Sequence, residues 1–150
     1  MIITQKQGTL EYLTAEGISA PHCFTTRYGR VSTGSQSSLN QALGRGDSPE
    51  NVEANLRILA KALAFDPEKL VLTRQTHSDI VRVVTARDAN GCFHRDYPEC
   101  DALVTCDPGT ALLVCTADCT PILFHDPVTG AVGAAHADGG ALSRPLPQRR

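Results

Sequence analysis

The pattern of apolar and polar positions changes character along the chain, most sharply at residues 48–64, SPENVEANLRILAKALA. Val52, Leu56, Leu59 and Leu63 recur there at three- and four-residue intervals, the spacing that lines one face of an α-helix. Ser48 is an N-cap residue, Pro49 suits the first helical position, Glu50 falls in the first turn, and Asp66-Pro67 ends the run. A helix with one apolar stripe packs that stripe on a sheet. The strands expected to supply the sheet follow it, as short β-forming runs at 70–72, 79–84, 102–105, 110–116, 121–125 and 131–136. Turn signals separate several of them: Asn90-Gly91, Asp107-Pro108-Gly109, and Asp126-Pro127 with Gly130. The last three runs are apolar along nearly their whole length, the pattern of strands covered on both faces. The fold class read from this is α+β, a mixed β-sheet core with helix on a face. Residues 20–47 are rich in Thr, Ser, Gly and Arg and read as long loops of the kind that often carry function. Residues 143–150 hold two prolines and three arginines without periodicity, and are expected to be disordered or loosely attached.

Composition narrows the functional classes. A chain of 150 residues, 41% hydrophobic, supports one domain. A net charge of -2 with the two signs mixed offers no basic face, so nucleic acid is not an expected partner. No apolar stretch approaches the roughly 20 residues of a membrane helix, and the opening MIITQKQGTLEYL lacks the basic and apolar regions of a signal peptide. A cytoplasmic location is expected, with no membrane partner. The six cysteines, Cys23, Cys92, Cys100, Cys106, Cys115 and Cys119, are then free or metal-bound thiols by default.

Candidate chemistry concentrates around the last two strands. If they form an antiparallel hairpin about 126–130 with His125 opposite Ala131, Ala137 falls opposite Cys119. Cys119 and His136 then meet at the open end, one residue out of direct register. His77, in the string RQTHSD just past the 70–72 strand, is a plausible third member, since loops at strand ends often carry sites. One cysteine and two histidines suit zinc, and three protein ligands leave a fourth position open, as catalytic zinc sites do. Blander roles stand beside this: Cys119 as a small buried apolar residue, His136 as a hydrogen-bonded core histidine, His77 as a surface residue. A second set, Cys92, His94 and Cys100, has ligand-like types but lies in irregular chain without paired CxxC spacing, and ranks below the first.

The string DALVTCDPGTALLVCTADCTPILFHDPVTGAVGAAHA at 101–137 closely resembles the signature of the YfiH-like, laccase-domain family, known variously as polyphenol oxidases and purine nucleoside phosphorylases. Gln75-Thr76-His77, FTTRYG at 24–29, SLN at 38–40, GD at 46–47 and the helix with Asn55 match in the same order, so the resemblance spans about 20–137. It implies an α+β fold shared with cytotoxic-necrotizing-factor-like proteins, with residues 1–142 as the N-terminal portion of one catalytic domain that is incomplete at its C-terminus. It also implies a zinc held by His77, Cys119 and His136, the trio the hairpin argument reaches. The implied activity is phosphorolysis of adenosine, inosine and methylthioadenosine, with adenosine deamination. The implied partners are therefore a purine nucleoside and phosphate. Copper-dependent phenol oxidation, in which copper replaces zinc, and a metal-binding remnant without turnover are the alternatives; a multicopper centre would need several His-x-His pairs that the sequence lacks. As hypotheses within the resemblance, Cys119 and Asp118 serve catalysis, Asp118 as proton shuttle or orienter of the ligand set if it is not simply a turn cap. Arg27 would pair with phosphate through its planar fork, and Asn40 and Gln75 would contact ribose or base.

After His136 the family pattern continues Ala-Gly-Trp-Arg-Gly-Ala-Leu, whereas this chain reads Ala137-Asp138-Gly139-Gly140-Ala141-Leu142-Ser143 and contains no Trp. Removing a single base from the Gly codon of GCG GGA TGG CGG GGC GCT CTC gives Ala-Asp-Gly-Gly-Ala-Leu and the start of a Ser codon. A shifted frame is the expected origin of 143–150, against a divergent short paralogue.

Overall fold

The computed structural model describes residues 1–29, 31–89, 91 and 98–139. The expected helix is present as α1 (Pro49–Leu63), with the Ser48 side chain accepting a hydrogen bond from the Asn51 N–H at 3.2 Å. Its end differs in cause from the sequence reading. Ala64 turns the chain with a left-handed conformation, φ 56°, and its N–H bonds to the Ala60 carbonyl, so the helix closes before Asp66-Pro67 is reached. Asp66 instead caps a short 3-10 turn, accepting from Glu68 N at 3.0 Å.

The chain opens with a hairpin lying outside the runs singled out by the sequence pattern: β1 (Ile2–Gln7) pairs antiparallel with β2 (Leu10–Ala15) across a two-residue turn. Gly8 holds φ 62° there, which suits a residue without a Cβ. The two-residue strand β3 (Phe24–Thr25) adds to β2, and the other described residues of 20–47 are loop and one 3-10 turn, as their composition suggests.

The remaining strands fall where the apolar runs place them. β4 (Leu70–Leu72), β5 (Val81–Val83), β6 (Ala102–Thr105), β7 (Ala111–Leu113), β8 (Thr120–His125) and β9 (Val132–Ala137) form two further sheets, β4-β7 in parallel and β5-β6-β9-β8 in mixed pairing. Mixed pairing of several sheets with one α-helix among the described residues is the mixed α/β, α+β-type fold expected.

Strand alternation explains how the core is shared. Leu70 on one face of β4 joins Val52 and Leu56 of α1, while its neighbour Val71 on the other face joins Val84, Cys100 and Leu103. Leu112 and Leu113 of β7 divide in the same way, so this pair of strands is covered on both sides. Farther along α1, Leu59 packs with Leu10 and Leu39, which seats the opening hairpin on the same helix. The four-stranded sheet differs. Leu103 and Ala134 on its inner face are 0% and 3% exposed, but Val83 and Phe124, in one cross-strand row on the outer face, are 81% and 56% exposed. Covering on both faces therefore holds for β7 and not for β8 and β9.

The β8–β9 register also corrects the sequence reading. His125 stands opposite Val132, not Ala131, and Pro121 opposite His136. The turn sets this. Asp126 stays in the ladder through its N–H to the Ala131 carbonyl, its carbonyl accepts from Gly130 N, and Gly130 sits at φ 75°. A one-residue shift exchanges the faces of a strand. In the expected register Cys119 and His136 would point to opposite faces; in the observed one, extended one step past Thr120↔Ala137, both fall on the inner face.

Candidate metal centre

Three chain segments end at the same place. His77 follows the exit of β4, Cys119 lies between β7 and β8, and His136 stands near the end of β9. The metal-ligating atoms of His77, Cys119 and His136 all lie within 4.8 Å of one another. Around a tetrahedral ion with ordinary Zn–S and Zn–N bonds, such atoms sit roughly 3.3–3.6 Å apart, so closure requires a movement of about 1 Å. Soft thiolate and borderline imidazole donors, one buried, one half-buried and one exposed, form a set that could hold a metal ion with a side open to solvent. This is the trio that the spacing singles out.

Asp101, which sequence reasoning missed, organises it. Its Oδ1 lies 2.8 Å from His136 Nδ1, with the two side chains 3% and 5% exposed. Such a carboxylate fixes the imidazole with Nδ1–H inward and Nε2 turned to the metal position. The same carboxylate accepts from the backbone N–H groups of Thr76, His77 and Ser78 and from Ser78 Oγ. It thereby ties the loop that carries His77 to the strand that pairs with His136. Burial pushes the Asp101 pKa up, but the bonds from Ser78, His136 and Thr76 outweigh it and hold the carboxyl at about 2. The available signal was its position: an aspartate one residue ahead of β6, directly across the ladder from His136.

His77 itself is in the left-handed region at φ 59°, uncommon for a residue with a Cβ. Its ring meets the His136 ring edge-on, centroids 5.0 Å apart and planes at 80°. Its Nδ1 lies 3.2 Å from Oδ2 of Asp138, a second carboxylate that the spacing argument did not assign.

The other expected residues fall elsewhere. Gln75 braces two strand exits: Nε2 donates to the Cys115 carbonyl at 2.7 Å, and Oε1 accepts from Cys115 N at 2.9 Å and from Thr73 Oγ1. Asn40 bonds to both backbone groups of Ala42 and to Asp47, in a polar knot where buried Asn55 donates to Ser32 Oγ and to the Asn40 carbonyl. Arg27 is exposed, and its Nε and Nη2 donate to the Ser37 carbonyl. Arg27, Asn40 and Cys115 line a wide cleft of about 1300 Å³ that extends to Ala117, two residues short of Cys119. Asp118 is exposed beside Cys119. Of the second cysteine set, Cys92 and His94 lie outside the described residues, and Cys100 is 0% exposed within the apolar core. No disulfide joins Cys23, Cys100, Cys106, Cys115 or Cys119, the cysteines among the described residues; burial pushes the Cys23 thiol up to about 11.

The fold that brings this cysteine and these two histidines together is shared with known proteins. Residues 21–141 match the family model described as multi-copper polyphenol oxidoreductase laccase, and the chain belongs to that family. Among curated proteins it is similar to the purine nucleoside phosphorylase ORF3 of Streptomyces griseus, 44% identical over 79% of this chain and 47% of the relative. It is equally similar to a purine nucleoside phosphorylase of Deinococcus radiodurans, 44% identical over 85% of this chain and 47% of the relative. The crystal structure of YlmD from Geobacillus stearothermophilus superposes with a TM-score of 0.82 at 36% identity, over 93% of this chain and 53% of that one. The chain thus spans about half the length of the relatives it matches. Among the described residues no helix is long and apolar enough to cross a membrane.

Proposed function

We propose that this chain carries the metal centre of a zinc-dependent purine nucleoside phosphorylase, acting on adenosine, inosine and methylthioadenosine, and also deaminating adenosine. The observation that carries the reading is the convergence of His77, Cys119 and His136, with Asp101 behind His136. The names of the relatives supply the substrate class. When bound, zinc supplies positive charge that polarises an attacking oxygen. The residues of the chain do the rest. The wide cleft receives the nucleoside, with Asn40 on its wall. Arg27, which also lines the cleft, keeps N–H groups beyond the edge that holds the Ser37 carbonyl, and offers them to phosphate, whose oxygen forms a bond to C1′ of the ribose as the bond to the purine nitrogen breaks. Asp118, exposed next to Cys119, carries the proton the departing purine takes up. Gln75 acts through the strands it braces. Cytoplasm, a reducing compartment, keeps the Cys119 thiol available.

The test is direct: adenosine and phosphate with the zinc-loaded chain should give adenine and ribose 1-phosphate. Cys119→Ala and His136→Ala should each abolish stoichiometric zinc binding, whereas Cys92→Ala and Cys100→Ala should leave zinc content unchanged. Full zinc retention in either of the first two variants refutes the site. The description of the family model favours a second reading, copper-dependent phenol oxidation. The described residues contain one three-ligand group, which fits a single ion better than a multicopper cluster. Phenol oxidation that vanishes on copper removal, without nucleoside cleavage, would reverse the order.

A further inference from the structure

We propose that Asp138 is a positioning residue for His77, accepting a hydrogen bond from its Nδ1–H so that Nε2 is presented to the metal ion. The inference rests on the metal reading of the site given above. His77 is the least secured of the three ligands: its side chain is 58% exposed, it sits in a loop, and its backbone is held in a left-handed turn. Asp101 fixes its backbone N–H but not its ring. An exposed imidazole that nothing orients can turn about χ2 and offer either nitrogen, and that freedom is lost on binding an ion. Asp138 Oδ2, 3.2 Å from Nδ1, removes the choice.

The strand explains why the carboxylate is there. Asp138 follows His136 by two positions, so the alternation of β9 carries it to the same inner face, and the β8–β9 register extended by one residue sets it opposite Cys119. It is therefore beside two ligands and in contact with the third. Each histidine then has its own carboxylate on Nδ1, buried Asp101 for His136 and half-exposed Asp138 for His77. A carboxylate could instead serve as a fourth ligand. With Nδ1 of His77 occupied by Asp138 at hydrogen-bond distance, the geometry favours orientation over ligation.

The experiment uses the full 150-residue chain, zinc alone in competition with a chromophoric chelator, cobalt as a spectroscopic substitute, and long-range ¹H–¹⁵N correlation of the metal-free chain at pH 8. Asp138→Ala should weaken zinc binding roughly 10–100-fold while the thiolate-to-cobalt charge-transfer band keeps its position and intensity, and Asp138→Asn, whose amide oxygen accepts the same bond, should recover to within about threefold of the parent. In the metal-free parent and in Asp138→Asn, His77 should be in the Nδ1–H tautomer, shifting in Asp138→Ala to the Nε2–H form that free imidazole favours. Zinc affinity of Asp138→Ala within about twofold of the parent, or an unchanged tautomer, overturns the proposal. A cobalt spectrum showing a lower coordination number in Asp138→Ala overturns it in favour of direct ligation. If instead the parent binds no zinc, or Cys119→Ala retains it, the metal reading itself falls, and that is seen without touching Asp138.

Discussion

At Asp101 a single carboxylate holds one ring and three backbone N–H groups, so its chemistry is shared between folding and the site. Replacing it by asparagine keeps the shape but turns an NH₂ group toward donors. Buried donors facing a donor lose their partner, and Asp101→Asn should cost about 2–4 kcal/mol of stability. It should also weaken zinc binding roughly 10–100-fold, because the tautomer and aim of His136 are no longer fixed. Urea unfolding of the metal-free chain and chelator competition of the loaded one measure the two effects; an unchanged urea midpoint would show that the loop at 76–78 is secured by something else.

Among the elements, α1 and the loop folded on its N-terminal half carry two separate weaknesses. Ala64 ends the helix at φ 56° and is exposed, so its Cβ is strained without packing in return. Left-handed backbone costs a residue with a Cβ about 1 kcal/mol, and Ala64→Gly should raise stability by about that amount, read as a higher urea midpoint at unchanged m-value. The loop depends on Asp47. Hydrogen bonds from Ser32, then Asn51, Asn40 and the Ser48 backbone hold its carboxyl below the usual range. A folded pKa lower than the unfolded one contributes stability that is present above the ordinary carboxylate value of roughly 4 and lost as pH falls through the folded value. The parent should therefore lose stability on acidification below that point more steeply than Asp47→Asn. Parallel pH profiles of the two chains would contradict the role given to this carboxylate.

For the whole molecule, the outer face of the β5-β6-β9-β8 sheet decides behaviour in solution. Val81 and Val83 of β5 and Phe124 of β8 are exposed on that face, in rows completed by Ala102, Val104, Ala135 and Ile122. A contiguous apolar face of this kind binds dyes and promotes association. The chain should bind 1-anilinonaphthalene-8-sulfonate in its folded state. Val83→Thr with Phe124→Ser should reduce both dye binding and aggregation while shifting the urea midpoint by less than about 0.5 kcal/mol equivalent. Strong destabilisation by the pair would mean the face is already packed.

Local chemistry wrote much of this protein into its sequence. Val52, Leu56, Leu59 and Leu63 with Ser48 specify α1 because helix spacing and an N-cap act within a few residues. The apolar runs locate β4 to β9 for the same reason. The trio that the fold gathers was legible too, since Cys119, His77 and His136 stand at strand exits whatever the pairing. The opening hairpin was harder to read, because β1 is mostly exposed and alternates weakly. What tertiary structure decided was register, faces and partners. Gly130 and Asp126 moved the β8–β9 pairing by one residue and so put Cys119 and His136 on one face. Long-range folding brought Asp101 to the 76–78 loop, Asp138 to His77 across 61 positions, and Gln75 to Cys115 across 40. Pattern along a chain reports which face each residue prefers; which carboxylate meets which imidazole depends on contacts between segments whose separation in sequence carries no information about their separation in space.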